Sequence, residues 1–418
     1  MGTAFKRADI LIPKCIKDMQ KWSVIACDQY TSQPDYWEQT KLITDGYYST
    51  YNLILPEIYL NDTDVSEKID NIHKAMDEYI TKDIFKEYKN TMIYVERIQS
   101  NGIMRAGIIG MIDLEEYDFT KGSTSSVRAT EATVIERIPP RIKVRQGAAL
   151  EIPHIMILID DINKTVIEPL YEKKSDFEKL YDFELMQGGG KIAGYLMDDK
   201  SCDSTETALE SLGNKEEFER KYSNNNLLLY AMGDGNHSLA TAKQFYENLK
   251  KENPDKDLSK HPARYALVEV VNLHSEALEF EAIHRIVTGI DVNDFINKMY
   301  EKLKITNEVS EQKFTYITKG VENSVYIHNK SSNLTVGSLQ DFIDYYLKEY
   351  GGTVDYIHGT DIVRKLSEDK NSIGFILDDM DKKDLFPTVI ADGSLPRKTF
   401  SMGHAEDKRY YIECRKIK

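Results

Sequence analysis

The chain has 418 residues, and its 54 Lys and Arg are outnumbered by 69 Asp and Glu, for a formal net charge of −15. Hydrophobic residues at 41% and charged residues at 29% exclude a disordered chain, and the length suits two or three packed units. The negative balance repels polyanions, so nucleic acid is not the expected partner.

The amino-terminal MGTAFKRADILIPKCIKDMQ lacks the apolar core of a signal peptide, and no window is apolar for long enough to cross a bilayer. A cytoplasmic location without membrane partners is the expectation, and self-association into a homo-oligomer stays open. Cys15, Cys27, Cys202 and Cys414 are scattered without zinc-like spacing, which reads as free thiols in a reducing compartment.

WSVIACDQY (22–30) reads as a short buried strand running into a polar turn, with Asp28 where active-site acids of α/β proteins often stand. A plain turn acid explains Asp28 equally well. STYNLILPEIYL (49–60) repeats that texture. From Asp64 to Lys89, Ile69, Ile72, Met76, Tyr79 and Ile80 recur at helical spacing, which predicts an amphipathic helix. NTMIYVERIQSNGIMRAGIIGMIDLEEYDF reads as a hairpin turning at Ser100-Asn101-Gly102.

SVRATEATVIERIPPRIKVR gathers Arg128, Glu131, Arg137, Arg141, Lys143 and Arg145. Its PRIKVR end alternates strictly, which predicts an extended segment with Arg141, Lys143 and Arg145 on one face. Arginine forks match phosphate oxygens, although a solvated edge strand accounts as well for Lys143 and Arg145. HIMILIDD (154–161) is a core strand ending in two acids, for which a plain hairpin is the better reading. In FELMQGGGKIAGYL the triple glycine requires unusual backbone angles or a close neighbour. It matches neither a P-loop nor a dinucleotide fingerprint, and no GxSxG elbow occurs.

LLLYAMGDGNHSLATAK (227–243) reads as strand, tight turn and helix, the helix ending near Lys251. Free backbone N–H groups and the positive end of a helix dipole then lie beside Asp234 and His237. Gly235, Asn236 and Ser238 would complete a phosphate cradle. Asp234 can accept a proton or hold Mg²⁺, and His237 can donate to a phosphoryl oxygen or move a proton. A glycine turn capped by Asn236 or Ser238 is the bland alternative.

RYALVEVVNLH (264–274) is another strand. Arg285 and Lys398 are candidates to complete an anion site, although each taken singly is better explained as structural. GFILDD, LFPTVIADGSLPRKTFSMG and RYYIECRKI read as strands returning to the core, and SMGHAEDKRYY, with His404, reads as structural or peripheral. The expected division is residues 1–120, an N-terminal α/β region; 121–290, a core domain with the glycine turn; 291–350, a peripheral α/β subdomain; and 351–418, a returning C-terminal segment.

ACDQYTSQPDYWE, NLILPEIYL, VRATEAT, ERIPPR, YDFELMQGGG, GDGNHSLATAK, HPARYALVE, FEAIHR and PRKTF together resemble the family catalogued as domain of unknown function 1015, along nearly the whole chain. The turn at 233–238 is similar to the Asp-Gly-His-His-Arg version of many relatives. Through it the chain resembles free serine kinases and the wider ParB-like and sulfiredoxin-like superfamily, in which the motif handles phosphates. The resemblance implies a mixed α+β fold, with multi-layer mixed sheets around a ParB-like or serine-kinase-like core and a peripheral α/β subdomain.

Asp234, Gly235 and His237 match that motif, while Asn236 and Ser238 depart from it. The arginine donor usual at 238 is missing, and Arg128, Arg141 or Arg285 would have to supply its charge. Arg128, Glu131 and Thr133 match a block reading Arg-x-His-Glu-x-Thr, with Thr130 in the histidine's place. Lys398 and Thr399 match a closing Lys-Ser/Thr element.

The expected function is phosphoryl transfer on a small hydroxylated metabolite, in the kinase or phosphatase direction, with free serine or phosphoserine the first candidate by resemblance. Such chemistry needs positioning and charge neutralisation. Asp234 would hold Mg²⁺ or activate the hydroxyl, His237 would contact the transferred group, Arg128 and Arg141 would bind phosphate, and Glu131 would be the alternative base. A nucleotide or another phosphate donor would be the co-reactant. The competing expectation is a ParB-like nucleotide-binding switch without turnover. Asp28, Glu131, Asp234, His237 and an arginine should share one cleft, and Asp234→Asn should leave thermal stability unchanged or raised.

Overall fold

The computed structural model describes residues 3–14, 16–131 and 138–418; Cys15, Thr133 and Arg137 lie outside the described residues. Two compact units divide the chain, one formed by Met1–Leu278 with Gly403–Lys418 and the other by Glu279–Met402.

The first unit is built on a ten-stranded sheet. In chain order its strands are β1 (Phe5–Lys6), β2 (Ile93–Ile98), β3 (Met104–Asp113), β4 (Tyr117–Asp118), β5 (Val127–Arg128), β6 (Met156–Ile159), β7 (Glu178–Glu184), β8 (Lys191–Leu196), β9 (Tyr230–Asp234) and β10 (Tyr265–Asn272). Their spatial order is β7-β8-β2-β3-β10-β6-β9-β5-β4, with β1 paired to β3. Neighbours from β7 to β10 run antiparallel. The β10–β6, β9–β5 and β5–β4 pairs are parallel, and β9 is antiparallel to β6. The fold is therefore mixed α/β.

Alternation along the strands feeds two cores. Met92, Tyr94 and Ile108 join Met232 and the helix residues Leu239, Ala242 and Tyr246. Ile93, Val95 and Ile109 face the other way, against Trp22, Leu53, Ile69, Ile72, Met76 and the tail residues Tyr411 and Ile412. The β2–β3 hairpin turns where expected, with the Gly102 N–H donating to the Gln99 carbonyl at 2.9 Å.

Three helices matter for the site: α1 (Val65–Thr81), α2 (Ile138–Gly147) and α3 (Asn236–Glu252). Helix α1 buries Ile69, Ile72, Met76 and Tyr79, but it stops eight residues short of Lys89. Asp83 takes a positive φ of 51°, and Phe85–Thr91 turns into a strand paired with Ala8–Pro13.

The extended segment expected at PRIKVR is instead helix α2. Pro139 and Pro140 lie in its first turn, where a missing N–H costs nothing, and a six-residue alternation is too short to separate the two periods. Arg141 and Arg145, four residues apart, consequently share a face that Lys143 does not. Strands expected at 22–30 and 49–60 are also absent. Ile25 makes a single antiparallel bridge to Arg409, and Thr50–Leu53 and Glu57–Tyr59 are short 3₁₀ turns. Leu385–Asp392, read as strand, is a helix.

The triple glycine closes the β7–β8 turn, and both expected reasons hold. Gly188 and Gly190 have φ of +72°, and a Cβ at Gly189 would lie 2.0 Å from Arg409 Nε, while one at Gly190 would lie 1.9 Å from the Ile98 carbonyl oxygen.

The second unit carries a five-stranded antiparallel sheet in the order Val321–Ile327, Gln312–Thr318, Ser372–Ile376, His284–Thr288 and Thr353–Ile357. Phe295 and Phe342, from the helices Val292–Leu303 and Thr335–Tyr350, meet at 5.1 Å between ring centroids, and Phe295 reaches Phe375 of the sheet at 5.9 Å. Among the described residues, no helix is long and apolar enough to cross a membrane.

Gly190→Ala must force an L-residue into the left-handed region and push it off a backbone oxygen. It should lower stability by about 2 kcal/mol or more, read as a lower urea midpoint at unchanged m. An unshifted midpoint would show that the turn has room to relax.

Candidate functional site

Strand β9 buries Tyr230, Ala231 and Met232 completely and ends at Asp234, opposite Met156, after a register shift between Met232 and Asp234. Gly235 then turns the chain into α3 at φ +83°, and a Cβ there would sit 2.5 Å from the His154 carbonyl oxygen. Only glycine satisfies both the angle and the contact.

Three donors surround the Asp234 carboxylate. Oδ1 accepts the Gly235 N–H at 2.7 Å, and Oδ2 lies 3.3 Å from His154 Nε2 and 3.6 Å from Lys408 Nζ. Burial pushes this carboxyl up, but Lys408 and His154 more than offset it and hold Asp234 well below the usual carboxylate range. His154 Nδ1 faces the Arg409 carbonyl at 2.9 Å, so both ring nitrogens face acceptors.

The Lys408 ammonium is raised first by Asp234, against its own burial, and further by Asp28 and Glu131. Asp234 is thus the carboxylate that pairs with Lys408, and the charges of Asp28 and Glu131, from distant parts of the chain, act on the same ammonium. Backbone pairing brings it there: the Ala26 N–H donates to the Lys408 carbonyl at 2.7 Å, and the Tyr410 N–H to that of Val24 at 3.0 Å. Arg409, fully buried, donates to the carbonyls of Glu406, Ser23 and Gln187. Glu131 is positioned through Thr130, whose N–H reaches Asn236 Oδ1 at 3.3 Å and whose hydroxyl donates to the Met232 carbonyl at 2.8 Å.

A family model described as Protein of unknown function (DUF1015) matches residues 12–346. The chain belongs to that family. No curated protein matches it in sequence. Among solved structures, it is similar to a free serine kinase in complex with AMP, at 10% identity over 70% of this chain and 86% of that one, with a TM-score of 0.36. It is similar also to SbnI with C-terminal truncation from Staphylococcus aureus (10% identity, 73% and 81% covered, TM-score 0.35). A conserved hypothetical protein from Pyrococcus furiosus gives 11% identity, 70% and 90% coverage and a TM-score of 0.34. Likeness at this level leaves the chemistry to the residues themselves.

In this DUF1015 chain the expected residues are distributed unevenly. His237 and Ser238 lie in the first turn of α3 beside Asp234. Ser238 shares a cavity wall with Cys27 and Arg141, and Arg141 pairs with Glu57. Asp28 follows Cys27 in an exposed turn and accepts from Gln29 Nε2 at 2.9 Å.

Arg128 does not reach the turn. Its guanidinium is buried and donates to the carbonyls of Ser125, Asn226 and Leu227 at 2.7, 2.7 and 3.1 Å. The Asn226 and Leu227 carbonyls precede β9, whereas Asp234 ends it. Arg285 and Lys398 belong to the second unit, where Arg285 Nη2 donates to the carbonyls of Arg397 and Lys398 at 3.1 and 2.9 Å.

The residues around Asp234 do not fit a resident Mg²⁺. An N–H, an imidazole and an ammonium already engage its carboxylate, and among the described residues no group of three or more His, Cys, Asp or Glu is arranged to hold a metal. Sequence reasoning missed Lys408 and His154. The histidine two residues before the 156–159 strand is a signal; nothing local marks Lys408, whose segment reads as peripheral.

The ion pairs reverse the stability expectation for Asp234→Asn. An Asp held below its unfolded value of about 3.9 contributes stability above that pH, and loses it as pH falls through the folded value. Asp234→Asn should therefore melt below wild type at neutral pH, with the gap narrowing below about pH 4. Lys408, raised above about 10.4, contributes below that pH and loses its contribution only as pH rises through its folded value. A gap that stays constant from neutral to acid pH would show that the carboxylate's charge is not what matters.

Proposed function

We propose that the site around Asp234 transfers a phosphoryl group to or from a small hydroxylated metabolite, with serine or phosphoserine the first candidate. The observation that carries this reading is the Lys408 ammonium held 3.6 Å from the Asp234 carboxylate at the start of α3, with the charges of Asp28 and Glu131 also acting on it. Phosphoryl transfer asks a protein mainly for cationic and N–H donors around the moving group and an acceptor for the hydroxyl. Lys408 and the first N–H groups of α3 provide the donors, and the carboxylates provide the acceptor.

Asp234 is a weak base, because its carboxyl is held below the usual range. Its role is to orient Lys408 and His154 and to accept a hydrogen bond from the attacking hydroxyl. Glu131 is the better candidate to receive the proton. The hydroxyl oxygen forms the new P–O bond as the bond to the leaving oxygen of the donor breaks, and Lys408 follows the charge on the transferred oxygens. His237, one residue into α3, contacts the transferred group. Lys408 thus supplies the positive charge that Ser238 lacks.

Lys408→Met and Asp234→Asn should each reduce turnover by on the order of a hundredfold or more. The purified chain is mixed with serine and ATP, ADP or pyrophosphate, and phosphoserine is followed by mass in both directions. Full turnover in well-folded Asp234→Asn would end the claim for that residue, and nucleotide binding without any transfer would end the enzymatic reading.

A further inference from the structure

The tail that brings Lys408 to Asp234 also carries a fully buried acid, Glu413. Backbone bonds tie this segment down. The Ala26 N–H donates to the Lys408 carbonyl at 2.7 Å, the Tyr410 N–H to that of Val24 at 3.0 Å, and the Cys414 N–H to that of Leu11 at 2.9 Å.

Glu413 Oε1 accepts from the Tyr181 hydroxyl of β7 at 2.5 Å, whereas Oε2 is buried without a hydrogen-bond partner. Two charged groups face it, Arg97 of β2 and Glu269 of β10, and they act on it in opposite directions. Glu269 is taken up by Arg105 of β3, whose Nη2 lies 3.0 Å from its Oε2, and Arg97 Nε stands 3.9 Å from the same oxygen. The Nε and Nη2 of Arg97 are themselves buried without hydrogen-bond partners, so they do not bond the Glu413 carboxyl. Cys414, next along the tail, stays a neutral thiol, pushed well up by burial and by Glu413. An ionised carboxylate with no bonded cation is costly here, and such a group takes up a proton instead. Burial pushes the Glu413 carboxyl up to about 7, against the opposing effect of the Tyr181 bond.

We propose that Glu413 is a proton-operated latch on the tail: with its carboxyl neutral the tail stays seated on the sheet, and ionisation loosens it and withdraws Lys408 from Asp234. Once the tail is unseated and the carboxyl reaches water, its ordinary value is about 4.3. The seated form therefore binds more protons between that value and about 7, so seating weakens as pH rises through this window and levels off above it. Asp234 and Lys408 do not produce the same window, because Asp234 is held below the usual carboxylate range and Lys408 is raised above the usual lysine range.

The test uses the full chain and amide hydrogen exchange, with rates corrected for the intrinsic effect of pH. Protection of the Ala26, Tyr410 and Cys414 amides should fall at least tenfold from about pH 5 to about pH 7.5. Glu413→Gln keeps an acceptor for Tyr181 but does not ionise, and its protection at the same amides should be flat over that range. Tyr181→Phe removes a bond that favours the ionised carboxyl, so the fall should continue to higher pH than in wild type. A purely structural role for Glu413 would change protection equally at every pH. Flat protection in the wild-type chain, a result that needs no variant, overturns the proposal, as does an equal fall in wild type and Glu413→Gln. Neither readout requires turnover, so a chain that shows the latch and transfers no phosphate keeps this inference and loses only the phosphoryl-transfer reading.

Discussion

The attraction between the Lys408 ammonium and the Asp234 carboxylate is the contact on which the site's other residues depend. Taking either charge out of water alone costs several kcal/mol, so each requires the other. The tail that carries Lys408 also accounts for features away from the pair. The tail runs beside residues 22–26 through backbone bonds, Arg409 is fully buried among carbonyls, and Gly189 has no side chain because Arg409 occupies that space. The same tail holds His154 through the Arg409 carbonyl. A strand end, a turn glycine and the carboxyl-terminal segment thus act as one device for holding a charged pair beside a helix N-terminus.

What the sequence shows of this depends on range. The β2–β3 hairpin, the strands ending at Ile159, Asp234 and Asn272, and helix α3 are legible because turn chemistry and apolar periodicity are local properties. PRIKVR is not, since six alternating residues also fit a helix opened by two prolines. The apolar stretch Leu385–Asp392 fails for a related reason, because a short continuous apolar run has no period to read. The glycine turn announces itself by placing an acid and a histidine where a cap needs neither. Lys408 comes from a tail with no local pattern, and only the tertiary pairing with residues 24 and 26 makes it part of the site. Arg128 shows the converse limit: a guanidinium looks like a phosphate donor until the carbonyls that occupy it are known.

The exchange of a turn arginine for Ser238, with a lysine supplied from the tail, has its own chemical consequence. Arginine presents a planar fork that recognises two oxygens at once, whereas lysine is a compact charge with three rotatable donors. A site built on Lys408 holds its cation by the geometry of Asp234 and its neighbours rather than by a rigid fork. Such a cation tolerates movement of the oxygens it pairs with, which is what the proposed phosphoryl transfer would ask of it. Ser238, short and exposed, leaves open the wall that a longer side chain would close, next to the cavity lined by Cys27, Val144, Ile155 and Arg145. The first turn of α3 thus has two unlike sides, one polar and organised by Asp234, the other largely hydrocarbon and edged by α2.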